Sequence, residues 1–252
     1  MKLLESKYLF FNSLNRQSGS PNWNPIFYIP NGLLTKFDYR PKLLKISLFN
    51  MSLPIQFYNV QNNINNQFIW NDGVNDTTVN IPEGSYSVYD LRDWFNVQLL
   101  ANYTISYDLV TNKFTFTSAN PANTITPITC GEFFGLQDNV TYTGTFVSIK
   151  PVNMSWIETI YFNMDILSNT NNIDNINQEE LTSSTILERI PLNTAPFDNL
   201  RYNKTINNME VEVRVSSLSS IRCWLSTNRN SKITEIYSPW DFVLFLQIFE
   251  DE

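Results

Sequence analysis

Short segments in which apolar and polar residues alternate recur along the chain, and they constrain its fold more than any other feature. In the segment 43–49, Leu44, Ile46 and Leu48 alternate with a lysine, a serine and a phenylalanine. A period of two residues places one set of side chains on one face of a strand, so about ten short strands are predicted. Further segments of this strand-like character lie at 54–60, 67–70, 77–81, 104–107, 113–117, 156–164, 185–192, 210–215, 221–225 and 242–248.

Two pairs of these segments are predicted to form hairpins. The tripeptide 71–73, Asn-Asp-Gly, lies between the segments 67–70 and 77–81. Asp-Gly is a preferred sequence for tight turns between antiparallel strands, because both residues tolerate a positive φ. The segments 104–107 and 113–117 alternate cleanly and are separated by a Thr-Asn turn, which predicts the second hairpin.

One segment, at about 87–100, predicts a helix. Ser87 is a good N-cap residue, and an aspartate follows in the first turn. Leu91, Phe95 and Leu99 are spaced by four residues, so they fall on one face of a helix that can pack on a core.

The remaining segments are consistent with an all-β fold. Residues 130–136 predict a short helical turn that Gly135 closes. The segment 242–248 is apolar almost throughout, so we expect a central strand covered on both faces. Residues 168–184 are rich in Asn and predict a long loop. Together these features predict a jelly-roll-type β-sandwich with one short helix and long polar loops.

The domain organisation begins with an extended N-terminal arm at residues 1–31. Three prolines between residues 21 and 30 keep this backbone extended, because each restricts the residue before it. The arm either packs on its own domain or reaches a neighbouring subunit. Two β-rich halves follow at 32–140 and 141–252, as separate domains or as one continuous domain.

The composition excludes several classes of function. The 252 residues contain no His, which removes every catalytic triad, general base and metal site that needs an imidazole. A net charge of −7 and a pI near 4.7 argue against coating nucleic acid with the bulk surface. No segment approaches the ~18 apolar residues of a transmembrane helix. We therefore expect a soluble protein that is not an enzyme and takes no cofactor or small-molecule substrate.

Two smaller features of the sequence bear on its chemistry. Cys130 and Cys223 lie far apart in the sequence and belong to no metal-binding motif, which suits a protein made in a reducing cytoplasm or nucleus. The stretch 36–45 combines basic and aromatic residues, as nucleic-acid-binding surfaces do. We favour a solvated strand edge for this stretch, because Lys at an edge discourages pairing between sheets.

Five motifs occur in a recognisable order: Ser-x-x-Arg-x-x-Gly-x-Pro at 13–21, a strand pair ending in Tyr-Asn-Val at 48–60, Val-x-Ile-Pro-Glu-Gly-x-Tyr at 79–86, Phe-Phe-Gly-Leu at 133–136, and Trp-Asp-Phe at 240–242. In this order they resemble structural proteins of eukaryotic double-stranded DNA viruses of the double-jelly-roll lineage, namely virophages, polinton-like viruses and their giant-virus relatives. The long loop at 168–184 departs from that pattern.

The resemblance implies a virion component, and the leading expectation is the penton protein that closes the icosahedral five-fold vertices. The partners it implies are further copies of this chain in a homopentamer, the major capsid protein and other minor capsid proteins. Because the arm is aromatic and stiffened by proline, we expect it to carry the inter-subunit contacts. The candidate contact residues are Arg16, Pro21, Trp23 and Phe27.

Three other functions stay open at this point. A minor capsid or cement protein shares the same motifs. A receptor- or glycan-binding spike or fibre module would form a trimer with aromatic residues clustered in exposed loops. A carboxylate-dependent enzyme on a β-sandwich would need two carboxylates facing each other across a cleft.

Overall fold

The computed structural model describes residues 2–29, 42–99, 102–155, 157–166, 185–194, 197–204, 210–215, 218–227, 232–233 and 236–250. The predicted loop at 168–184 and most of the basic stretch at 36–45 lie outside these residues.

The described chain is all-β, with a jelly-roll-like sandwich architecture and one substantial helix. The strands, in chain order, are β1 (Lys2–Asn12), β2 (Ile26–Tyr28), β3 (Lys42–Pro54), β4 (Gln67–Asn71), β5 (Asp76–Asn80), β6 (Tyr103–Asp108), β7 (Lys113–Ser118), β8 (Thr124–Pro127), β9 (Tyr142–Thr143), β10 (Phe146–Val147), β11 (Thr159–Met164), β12 (Ile186–Pro191), β13 (Asn199–Asn203), β14 (Val211–Val215), β15 (Ser220–Thr227) and β16 (Asp241–Glu250). The helices are a 3-10 turn (Ser13–Asn15), α1 (Val88–Gln98) and α2 (Gly131–Phe134).

The chain divides into two compact units. The segmented unit comprises Met1–Phe57 and Ile157–Glu252, and the continuous unit comprises Tyr58–Trp156. This division differs from the predicted halves at 32–140 and 141–252. The reason is that β3, near the start of the chain, pairs with β16 at its end. A pairing between such distant segments is not accompanied by any change of composition that would mark a domain boundary.

The segmented unit contains two antiparallel sheets. One has the order β1-β16-β3-β13, with β14 also on β3, and the other has the order β12-β11-β15-β2. The predicted central position of β16 is confirmed, because it lies between β1 and β3. The ring of Phe162 on β11 contacts that of Phe242 on β16 at 4.9 Å, so apolar faces of both sheets meet in one core.

The predicted alternation at 43–49 is confirmed within β3, where Leu44, Ile46 and Leu48 are fully buried. The prediction of a second strand at 54–60 is wrong. β3 ends at Pro54, which lacks an amide N–H. Ile55 still exchanges backbone hydrogen bonds with Phe197 and Asp198, but Ile55 and Phe57 lie outside the described strands, so their alternation reflects burial.

The continuous unit contains a three-stranded sheet (β10-β7-β6), a four-stranded sheet (β5-β4-β8-β9) and α1. Both predicted hairpins are confirmed, as β4 pairs with β5 and β6 with β7. The predicted helix is also confirmed. Ser87 and Asp90 form a capping box at its N-terminus, and Leu91, Phe95 and Leu99 are buried in the core of this unit.

The short helical turn predicted at 130–136 is present as α2. Gly135 closes it in the left-handed conformation at φ +63°, where glycine is favoured. None of the helices that the structure describes is long and apolar enough to cross a membrane.

Candidate assembly surface

Residues 12–28 of the predicted arm pack against their own unit. Ser13 is fully buried, and its backbone N–H donates to the Trp240 carbonyl at 2.9 Å. The Trp240 backbone N–H donates to the Ser13 hydroxyl at 3.0 Å, and the indole Nε1 donates to the Asn22 carbonyl at 2.9 Å. The Asn22 side chain donates in turn to the carbonyls of Ile236 and Ser238, each at 2.8 Å. The arm is thereby joined to the segment that leads into β16.

The four residues predicted as inter-subunit contacts differ in their exposure and in the groups that they contact. Arg16 donates to the carbonyls of Ser13 and Ser20, each at 2.7 Å, and so closes the turn between them. Phe27 is only 3% exposed and lies in its own unit's core. Pro21 is exposed and Trp23 is half-buried. The contact role of all four residues stays a prediction.

Two further motifs meet inside the continuous unit. The Asn59 side chain donates to the Tyr86 carbonyl at 2.8 Å and accepts from the Tyr86 backbone N–H at 2.9 Å. Beside it, Val60 and Gly84 form an isolated antiparallel bridge. The Tyr-Asn-Val and Pro-Glu-Gly-x-Tyr segments are therefore structural partners. Their contacts explain the residue types without invoking a ligand.

Exposed apolar side chains gather near the N-terminus, on and beside the edge strand β1. Phe10 is 79% exposed and Tyr8 50%, and Leu14 and Tyr28 are also largely exposed. Tyr8, Phe10 and Tyr28 line a groove of about 640 Å³ in the segmented unit, which we call the edge groove. Its lining residues are Tyr8, Leu9, Phe10, Phe11, Asn12, Asn15, Arg16, Gln17, Ser18, Phe27, Tyr28 and Ile29.

The sequence reasoning missed β1 and therefore this groove. The run Tyr8–Phe11 lies within the predicted arm at 1–31, for which no strand is predicted. A signal was present nonetheless, because three aromatic residues within this run favour a strand.

Groups with perturbed pKa values often mark functional sites, and those described here owe their shifts to burial or to hydrogen bonds in turns. Burial, and then the Glu188 carboxylate, raise the pKa of the Tyr202 hydroxyl, while burial lowers the pKa of Lys204. Backbone N–H donors lower the pKa values of Asp72 and Asp108 in turns. The described residues contain no group of three or more Cys, Asp or Glu side chains placed to hold a metal ion.

The two cysteines are buried free thiols in different units. Burial, and then the charge of Asp138, raise the pKa of Cys130, and its thiol also donates to the Gln67 carbonyl at 3.2 Å. Burial followed by the charge of Asp165 raises the pKa of Cys223. Since the thiolate is the reactive form, both thiols are expected to be inert in the native protein.

We therefore predict that iodoacetamide modifies neither Cys130 nor Cys223 in the native protein at pH 8, and modifies both in 6 M guanidinium. Peptide mass spectrometry after timed quenching measures each site. A variant with Val110, which is 90% exposed, changed to cysteine provides a matched reactive thiol. Native labelling of Cys130 or Cys223 at the rate of that thiol would contradict the prediction.

Comparison with known proteins identifies the class of fold. The chain has the all-β, jelly-roll-like architecture of a solved penton protein, to which it is similar over nearly its whole length. That structure is the crystal structure of selenomethionine-labelled mavirus penton protein, with a TM-score of 0.55 and 9% sequence identity. The match covers 98% of this chain and 100% of the mavirus chain. No protein-family model and no curated protein matches the sequence.

Proposed function

We propose that this protein is a structural component of a virus capsid, and specifically a penton protein that closes five-fold vertices. The observation that carries the proposal is the fold similarity to the mavirus penton protein, which extends over both chains almost completely. The matched region includes both compact units of this chain, whereas a similarity limited to one unit would cover only part of the chain.

Features of this chain also favour a role in assembly. Apolar side chains are exposed on the edge strand β1 and beside it, where they are available for burial against another polypeptide. Charged residues make up only 16% of the chain, so association would depend mainly on apolar and polar contacts. The proposed role is structural rather than catalytic, and it needs no cofactor.

In this proposal the partners are four further copies of the chain and the surrounding major capsid protein, and the protein resides in the virion. Each copy contacts the next through two different patches. Such heterologous contacts close into a ring when the rotation between neighbours fits a whole number of subunits. Five copies related in this way match the symmetry of an icosahedral vertex.

Native mass spectrometry of the purified chain over a range of concentrations tests this proposal. The expected species has five times the 29.3 kDa chain mass and becomes more abundant as concentration rises. A stable trimer would contradict a penton role and favour a spike or fibre module. A chain that stays monomeric and does not bind capsids of its own virus would contradict a capsid role altogether.

A further inference from the structure

Among the described strands, β1 has a neighbour on only one side. It is the terminal strand of its sheet, with β16 on one side and none of the described strands on the other. Its first half carries Lys2, Glu5 and Lys7, and charged residues of this kind discourage pairing at an exposed edge. Its second half, Tyr8–Phe11, carries no charge, and on the side away from β16 its backbone N–H and C=O groups face none of the described strands and lie next to exposed aromatic rings.

The strand β2 is the terminal strand of the other sheet, and the edge groove lies between these two terminal strands. The rings of Phe11 and Phe27 lie 4.9 Å apart and provide an apolar part of its lining. A segment that pairs with β1 directs alternate side chains to one face of the extended sheet. The groove volume of about 640 Å³ accommodates several such side chains.

The groove also carries one positive charge, that of Arg16. Two guanidinium nitrogens of Arg16 bind backbone carbonyls, which are neutral, and no ion pair of Arg16 occurs among the described residues. The twelve lining residues include no Asp or Glu. A carboxylate of a bound segment would therefore complement Arg16 by a charge-assisted hydrogen bond.

We propose that the edge groove binds an extended segment of another capsid polypeptide by strand addition to β1. The segment carries apolar side chains at alternate positions and a carboxylate beside Arg16. The stretch Tyr8–Asn12 pairs with about five residues, or about 17 Å of extended chain. This inference rests on the proposed capsid role for the identity of the partner, but the binding chemistry belongs to the groove itself.

A peptide titration tests the binding chemistry on the full-length protein. The probe is the acetylated, fluorescein-labelled hexapeptide DVTVTV, and its matched control is NVTVTV, which lacks the carboxylate. We expect saturable binding of the first peptide by fluorescence polarisation, and binding of the control about tenfold weaker. Equal affinities would overturn the role of Arg16, and no binding of either peptide at millimolar concentration would overturn the proposal.

Protein variants locate the binding site. Phe10 is 79% exposed, so Phe10→Glu leaves the fold intact and places a competing carboxylate in the groove. It is expected to weaken DVTVTV binding at least about tenfold. Val110→Glu, at a 90% exposed position of the continuous unit, is the matched control and is expected to bind normally. If the two variants lose the same amount of DVTVTV affinity, or if neither loses any, the assignment of the peptide site to this groove is overturned.

Arg16→Gln completes a double-mutant cycle, in which only the DVTVTV affinity is expected to fall, since NVTVTV has no charge to lose. If Arg16→Gln disturbs the turn and weakens the binding of both peptides equally, the assignment of the charge contact to Arg16 is overturned.

Native mass spectra separate this inference from the proposed function. A five-membered ring without peptide binding removes only the groove proposal, and peptide binding without a ring removes only the penton proposal. A ring that Phe10→Glu abolishes would make a second copy the occupant and overturn the choice of partner.

Discussion

Replacing Gly135 with alanine is expected to unfold the continuous unit or destabilise it by about 4 kcal/mol or more. Gly135 has a φ of +63°, and a Cβ atom added there would lie 2.0 Å from the Lys150 carbonyl oxygen. The backbone cannot easily move away, because the Lys150 N–H donates to the Gly135 carbonyl at 3.0 Å and the Gly135 N–H donates to the Glu132 backbone carbonyl at 3.2 Å. The variant must therefore break these bonds or accept a severe overlap.

Gly144→Ala is a matched control, because Gly144 lies in the same unit and has the same φ of +63°. Its added Cβ would lie 3.3 Å from the nearest atom, the Pro121 carbonyl oxygen. This control therefore shares the cost of the left-handed conformation, about 1–2 kcal/mol, but adds only a mild steric contact. Urea unfolding followed by circular dichroism measures the free energy of unfolding of both variants. Equal destabilisation would show that the contact with Lys150 is not the cause.

Much of the continuous unit could be predicted from the sequence because its signals are local. The helix α1 depends on Ser87 capping Asp90 three residues later and on an apolar face within three turns. The β4–β5 hairpin depends on a turn in which Asp72 accepts the N–H groups of Val74 and Asn75. Each of these features is complete within a few residues, so the type and spacing of neighbouring residues were sufficient.

The organisation of the segmented unit could not be predicted in the same way. Lys42 lies opposite Glu250, and Lys2 also lies opposite Glu250 on the other side of β16. Nothing in the local pattern of either strand identifies a partner so distant in the chain. The prediction of a strand at 54–60 is wrong for a related reason, since Ile55 and Phe57 alternate and are buried as in a strand, yet they lie beyond the end of β3.

The candidate contact residues illustrate the limit for function. Arg16 is predicted as an inter-subunit contact because its arm is aromatic and stiffened by proline, and that pattern gives no sign of its bonds to the Ser13 and Ser20 carbonyls in its own turn. Main-chain acceptors leave no trace in the residue types of a sequence. The edge groove depends on two terminal strands from different sheets, which only the topology brings side by side.

The second large effect is expected at Trp240, where alanine should destabilise the segmented unit by about 3–5 kcal/mol. Trp240 is 1% exposed, and its ring lies 5.2 Å from that of Phe242 and 6.2 Å from that of Phe162. The substitution leaves a large cavity in the core and removes the indole donor to the Asn22 carbonyl. We also expect it to loosen residues 13–24, since the lost donor joins them to Trp240.

Chemical denaturation measures the loss of stability, and timed trypsin digestion under native conditions measures loosening through cleavage after Arg16. Trp240→Phe keeps an aromatic ring and removes only the N–H donor and part of the volume, so a smaller loss is expected. Asn22→Ala removes the side-chain bonds to Ile236 and Ser238 but leaves the Asn22 carbonyl in place. If ring packing dominates stability, Trp240→Ala is far more destabilising than Asn22→Ala, whereas Arg16 becomes accessible in both variants. Rapid cleavage after Arg16 in the wild-type protein would contradict the view that the arm is fixed to its own unit.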